Sequence, residues 1–232
     1  MLTVYDKIPK IDEMASRRRS SFPDITEEKF WEIYDIAKPY SMIHVTGFYN
    51  LFSAIRYVSQ RNIQGDVVEC GVWYGGASIF AALACEHFGI SERRIYLFDT
   101  FAGFPKGSKD KKLGKDVSGP SYANFRKGVE ANIDRCGIAN GRTILVEGPV
   151  EETLASGPLP ERISVLRLDT DYYPSTAAEM RVLYPRLSTG GVLIVDDYGL
   201  YEGSRKAVDE ALAEHPILLN RIDTGVRAGL KL

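Results

Sequence analysis

Two hydrophobic runs of this chain end in paired acids: Ser164-Val165-Leu166-Arg167-Leu168-Asp169-Thr170-Asp171 and Gly191-Val192-Leu193-Ile194-Val195-Asp196-Asp197-Tyr198. Each reads as a buried strand whose last residues are carboxylates. In an open α/β sheet, ligands gather outside the carboxyl ends of the strands, so both clusters face one crevice. Carboxylates brought together raise one another's pKa, and the pattern asks for a positive charge between them. A divalent cation is the economical choice. Hard oxygen ligands without a cluster of His or Cys favour magnesium over zinc.

A second motif points to a nucleotide-like ligand. In Val67-Val68-Glu69-Cys70-Gly71-Val72-Trp73-Tyr74-Gly75-Gly76 an acid closes a strand and glycines open a helix. Gly71 allows a tight turn, and Gly75-Gly76 allow close approach of a ligand to the helix N-terminus. A second strand then ends in Asp99, an acceptor suited to the two hydroxyls of a ribose. The order G-x-x-x-G-G disfavours NAD, and no Gly-Lys-Ser/Thr marks a P-loop. An acid at the turn suits the cationic amine of S-adenosylmethionine better than a pyrophosphate. The plain alternative is a tight strand-to-helix connection; Glu69 and Asp99, both at strand ends, weigh towards a cofactor.

The elements that must position these residues alternate. Strands are predicted at 66–70, 94–99, 143–147, 163–169 and 191–195, with helices at 75–88, 122–136, 176–187 and 204–213. This is an α/β, Rossmann-like pattern: a mostly parallel sheet with helices on both faces. Segments 217–222 and 228–232, joined by Asp223-Thr224-Gly225, read as a closing C-terminal antiparallel hairpin. Before this core (residues 64–232) lies an N-terminal helical section (1–63) for substrate or oligomer contacts. Its first helix starts near Thr26 and stops at Pro39; its second, 47–60, aligns Leu51, Phe52, Ile55 and Val58. Arg17-Arg18-Arg19 reads as a solvated or subunit-contacting face. The stretch 101–120, with five lysines and several glycines, is either a lid or a solvated loop.

Bulk composition narrows the classes. At 232 residues and 44% hydrophobic, the chain can bury a substantial core. Lys plus Arg (29) nearly balances Asp plus Glu (31), which argues against nucleic acid. No apolar run is long enough for a membrane span, and the N-terminus does not read as a signal peptide. Three cysteines without a CxxC pair indicate neither a disulfide nor a zinc framework, so a cytoplasmic protein is expected.

Five ordered motifs carry a resemblance: Glu69-Cys70-Gly71-Val72-Trp73-x-Gly75-Gly76; Phe98-Asp99-Thr100-Phe101-x-Gly103-Phe104-Pro105; Leu166-Arg167-Leu168-Asp169-x-Asp171-x-Tyr173-x-Ser175-Thr176; Leu183-Tyr184-Pro185; and Gly190-Gly191 through Asp196-Asp197-Tyr198-Gly199. Together they resemble the macrocin O-methyltransferase (TylF-like) family over residues 64–213. The resemblance implies a class I methyltransferase fold, S-adenosylmethionine, and Mg²⁺-dependent methylation of a hydroxyl, typically on a sugar of a natural product. It implies that Glu69, Gly71 and Gly75 hold the methionine part, with Ser78 assisting its carboxylate. Asp99 would take the ribose, Glu147 and Gly148 would lie near the adenine, and Asp169, Asp196 and Asp197 would bind the metal. Asp171 is left to a supporting or helix-capping role, and Ser175-Thr176 to capping the next helix.

Methyl transfer needs an acceptor oxygen aligned with an activated methyl group and a base for its proton. Asp169 is the first choice for that base. His44 is expected at a helix boundary near the substrate entrance, and Tyr172, Tyr173 and Tyr198 line the acceptor pocket or pack beneath it. Thr170 and Tyr172-Tyr173-Pro174 depart from the family's Gly and Leu-Tyr-Glu without removing a ligand. The same chelation serves a catechol or another vicinal diol, and a non-catalytic S-adenosylmethionine-binding protein is the alternative of another class. The expected partners are a small-molecule hydroxyl acceptor and further copies of the chain in a homo-oligomer.

Overall fold

The computed structural model describes residues 19–103, 110–112, 115–117 and 125–232. Among the described residues nine strands form: β1 (Asp66–Cys70), β2 (Ile95–Asp99), β3 (Asp110–Lys112), β4 (Lys115–Val117), β5 (Thr143–Glu147), β6 (Ile163–Leu168), β7 (Leu187–Val195), β8 (Asn220–Arg221) and β9 (Arg227–Leu230). Seven belong to one sheet, ordered β5-β2-β1-β6-β7-β9-β8. The pairs from β5 to β7 are parallel, and β9 and β8 close the edge antiparallel. The C-terminal hairpin expected from the sequence is therefore present. Strands β3 and β4 form a separate small hairpin.

The helices are α1 (Glu28–Ala37), α2 (Val45–Gln60), α3 (Gly76–His87), α4 (Arg126–Arg135), α5 (Val150–Ser156), α6 (Tyr173–Val182) and α7 (Glu202–Ala211). Side chains alternate across a strand, and here both faces are covered. Val67, Leu97, Val165 and Ile194 pack with α1 to α4. Val68, Phe98, Leu166 and Val195, each one residue on, pack with α5 to α7. That double burial explains why the strands read as continuous apolar runs. The N-terminal helices share the core of the first face: the Phe30 ring lies 5.5 Å from Phe52 and 5.8 Å from Phe80.

Three expectations are corrected. Helix α6 begins at Tyr173, not Thr176, because Pro174 supplies the fixed φ of a first turn. Ser175 and Thr176 therefore lie inside the helix and do not cap it; Ser175 Oγ donates to Glu151 instead, at 2.7 Å. The short helix α5 has no counterpart among the elements predicted from sequence. Of the arginine triplet only Arg19 is described, paired with Glu28 at 2.7 Å; Arg17 and Arg18, and most of the lysine-rich 101–120 segment, lie outside the described residues. No described helix is long and apolar enough to cross a membrane.

Candidate active site

The carboxyl ends of β1, β2, β6 and β7 open into a cavity of about 670 Å³, within the ~300–1,000 Å³ typical of ligand pockets. Glu69, Gly71, Val72, Trp73, Asp99 and Gly148 line one side, and Asp169, Asp171, Asp196 and Asp197 the other. Exposed Met42 and His44, with Ser41 and Ile43, stand at the mouth before α2; Leu200 and Tyr201 before α7 and the turn Asp223–Val226 complete the lining. The glycine turn and the acid pairs thus share one crevice.

On the glycine side, Gly71 adopts a φ of +82°, and a Cβ there would overlap the Asp169 carbonyl oxygen. Only glycine permits that approach of β1 to β6. Asp99 clamps the turn: its Oδ2 accepts the backbone N–H of Val72 at 2.6 Å and of Trp73 at 3.3 Å, and its Oδ1 accepts Phe101 N–H at 2.7 Å. Burial raises the Asp99 pKa against the favourable pull of these donors. Ser78 Oγ donates to Glu69 Oε2 inside the core. Gly75, with a φ of +91°, precedes α3, and neither it nor Ser78 is part of the cavity wall. Gly148 is part of the wall; Glu147 lies outside it, exposed and paired with Arg126 at 3.0 Å.

On the acidic side, Asp169, Asp196 and Asp197 each offer an oxygen within 4.8 Å of the others. This all-carboxylate set fits a hard divalent cation. Burial pushes the Asp169 carboxyl well above the usual carboxylate range; Arg167 opposes the rise, and Asp196 and Asp197 add to it. Asp197 is raised likewise, by burial and then by Asp171 and Asp196. Asp171 does not cap α6, whose N-cap is Tyr172 without a side-chain bond. It faces the cavity with a φ of +66°, and its N–H donates to Asp197 Oδ2 at 3.2 Å. A non-glycine residue held at positive φ beside a ligand cavity marks strain at a site.

Part of the counter-charge sought between the acids is protein. Arg167, in the apolar β6, donates from Nη1 to Glu69 Oε1 (2.8 Å) and Asp169 Oδ2 (2.7 Å), and from Nη2 to Asp196 Oδ1 (2.6 Å). Burial alone would lower its pKa, yet the three acids hold it above its ordinary value and keep it charged. Arg167 is not among the site residues expected from sequence. The available signal is an arginine two residues before Asp169, hence on the same face of a strand that is apolar but for Ser164. Burial lifts Glu69 to about 7 even so, with Arg167 and Ser78 pulling down.

His44 both caps α2, its Nδ1 meeting Thr46 N–H at 3.4 Å, and lines the mouth. Of the three tyrosines, Tyr172 lines the cavity. Tyr173 and Tyr198 bond outward to Glu210 and Asp209, both at 2.7 Å.

This sheet order, with its crevice at the strand ends, is the fold of a methyltransferase. The solved O-methyltransferase NovP superposes with a TM-score of 0.72 at 28% identity, covering 83% of this chain and 82% of its own. SAH-bound PaMTH1 of Podospora anserina shares the fold at 15% identity and a TM-score of 0.59, covering all of both chains. The Macrocin-O-methyltransferase (TylF) family model matches residues 11–226, and the chain belongs to that family. It is an O-methyltransferase. The mycinamicin III 3''-O-methyltransferase of Micromonospora griseorubida is 32% identical over 185 residues, 77% of this chain and 72% of the relative. The demethyldecarbamoylnovobiocin O-methyltransferase of Streptomyces niveus is 30% identical over 222 residues, 93% and 82%. An 8-demethyl-8-(2,3-dimethoxy-alpha-L-rhamnosyl)-tetracenomycin-C 4'-O-methyltransferase of Streptomyces olivaceus is 32% identical over 195 residues, 81% and 74%.

Proposed function

We propose that this O-methyltransferase transfers the methyl group of S-adenosylmethionine to a sugar hydroxyl of a glycosylated natural product, with Mg²⁺ as its metal. The observation that carries the reading is the single cavity in which the Gly71 turn faces the Asp169, Asp196 and Asp197 triad. The sugar is supported by the rhamnosyl acceptor in the name of the tetracenomycin relative and by a lining that mixes polar Ser41, His44 and Thr224 with apolar Met42, Leu200 and Val226.

When bound, S-adenosylmethionine supplies a methyl activated by its sulfonium, and a divalent cation lowers the pKa of an acceptor hydroxyl. Glu69 and the turn at Gly71 hold the methionine end, and Gly75, behind the wall, shapes that turn where it enters α3. Both Glu69 oxygens already accept one bond, and each keeps a lone pair for a cationic amine. Ser78 acts through Glu69. Asp99 takes the ribose, and Gly148 borders the adenine with Glu147 at the outer edge. Asp169, Asp196 and Asp197 hold the cation. Asp169, which lines the cavity beside the other two acids, takes the hydroxyl proton. Val72, Trp73 and Tyr172 exclude water from the cavity, and fixed alignment of acceptor and donor can supply ~7–11 kcal/mol.

The test is methyl transfer to a panel of demethyl glycosides with S-adenosylmethionine, before and after EDTA. Activity should vanish with EDTA and return with Mg²⁺, and Asp196→Asn should lose turnover while keeping cofactor affinity. Full activity in EDTA would refute the metal. Methylation of aglycones alone, with none on the sugar, would refute the acceptor.

A further inference from the structure

Arg167 lies behind the cavity wall, beneath carboxylates from both halves of the crevice, on a strand whose other polar residue is the buried Ser164. It pairs directly opposite Glu69 in the β1–β6 register and is 3% exposed. Its guanidinium reaches one oxygen each of Glu69, Asp169 and Asp196. An apolar residue of similar volume would often serve stability as well as a buried ion network does. The arginine therefore calls for a reason other than stability.

We propose that Arg167 is a positioning residue that ties the cofactor end of the site to the metal ligands. A planar guanidinium holds its partners in one geometry, which the single ammonium of lysine does not. One fork thus sets the spacing between Asp169 and Asp196 before a cation arrives and fixes the Glu69 carboxylate in the same stroke. The inference rests on the metal reading above, and it makes a prediction of opposite sign to simple electrostatics. A cation placed beside the triad is repelled by Arg167. Were Arg167 only a counter-charge, its removal would tighten metal binding. If it positions the ligands, its removal weakens binding, as loss of groups that orient metal ligands commonly does by 10–100-fold.

The experiment uses the full chain with Arg167→Lys and Arg167→Met, alongside wild type and Asp196→Asn. Mn²⁺ binding is read by electron paramagnetic resonance and S-adenosylmethionine binding by calorimetry without metal, on samples whose melting curves show a folded protein. Arg167→Met should weaken Mn²⁺ binding 10–100-fold and S-adenosylmethionine binding several-fold. Arg167→Lys should recover only part of each loss. Should Arg167→Met not fold, the lysine variant decides alone. Unchanged or tighter Mn²⁺ binding in a folded variant, with normal binding in wild type, overturns the role of Arg167 and leaves the metal reading standing. A wild-type protein that binds no Mn²⁺ overturns both. A melting shift without any change in either affinity reduces Arg167 to a structural part and also overturns the proposal.

Discussion

Replacing Glu179 by glutamine should change how stability depends on pH. Glu179 sits in α6, fully buried, beneath the loop that carries Asp169 and Asp171. Its Oε1 accepts the Thr170 hydroxyl at 3.0 Å, and its Oε2 is buried without a hydrogen-bond partner. Burial, and then the charge of Glu151, pushes this carboxyl from 4.5 to about 8, against Thr170 and Cys70. In the folded protein it is therefore a neutral acid at pH 7, whereas in the unfolded chain it is ionised. The sign follows. Below pH 4.5 both states hold the proton and nothing is lost. From there to about pH 8 only the unfolded state releases it, and stability falls by about 1.4 kcal/mol per pH unit. Above about pH 8 the loss is constant, at most about 5 kcal/mol. Relaxation and water entry reduce such penalties, so about 2–5 kcal/mol is the working range.

A glutamine side chain cannot ionise, so Glu179→Gln removes this loss. Its buried amide adds a cost of about 1–3 kcal/mol, but that cost does not vary with pH. Glu69, Asp169 and Asp197 titrate in both proteins and cancel in the difference. The assay is the melting temperature of each protein in EDTA from about pH 5 to 8.5, which covers most of the Glu179 titration. About 2–4 kcal/mol of the loss falls inside that interval, so at ~2–4 °C per kcal/mol for a chain of this size Glu179→Gln should gain ~4–15 °C relative to wild type across it. Two melting curves that stay parallel with pH would refute a proton held on Glu179.

Other substitutions probe the crevice directly. Gly71→Ala places a Cβ against the Asp169 carbonyl at a φ of +82° and should lower the melting temperature by ~6 °C or more; an unchanged melt would contradict that packing. Asp99→Asn gives up acceptor capacity for Val72, Trp73 or Phe101 N–H and should weaken S-adenosylmethionine binding at least ~10-fold by calorimetry; equal affinity would remove Asp99 from the cofactor site. Asp169→Asn should cut kcat by ~100-fold or more. Asp171→Asn should cost less, because asparagine tolerates positive φ and the turn survives; the reverse order in single-turnover rates would make Asp171 the base.

Local patterns reveal elements long enough to show a period. The strand Asp66–Cys70 matches its expected bounds, and α2 differs only by starting at Val45. Helix α5 escapes sequence reading because its seven residues bury only Val150 and Leu154, too few to mark a stripe. The start of α6 is ambiguous in sequence because Ser175-Thr176 reads as a cap, whereas Pro174 suits a first turn equally well. Ser78 and Glu147 stand, along the chain, where ligand contacts are expected. The fold turns one into the core against Glu69 and the other outward to Arg126.

Chain order alone determined that acids close the apolar strands and that glycines follow the first of them. Those are properties of single segments, written in consecutive residues. What stands between the acids was decided only by the assembled sheet. Glu69 and Arg167 lie on β1 and β6, and Asp169 and Asp196 directly follow β6 and β7; they meet because parallel pairing aligns the three strands with one parity of side chains on one face. No single strand encodes its register against a neighbour. The positive charge missing from the linear pattern was present in it all along, two residues before Asp169, and only the sheet brought it into contact with all three carboxylates.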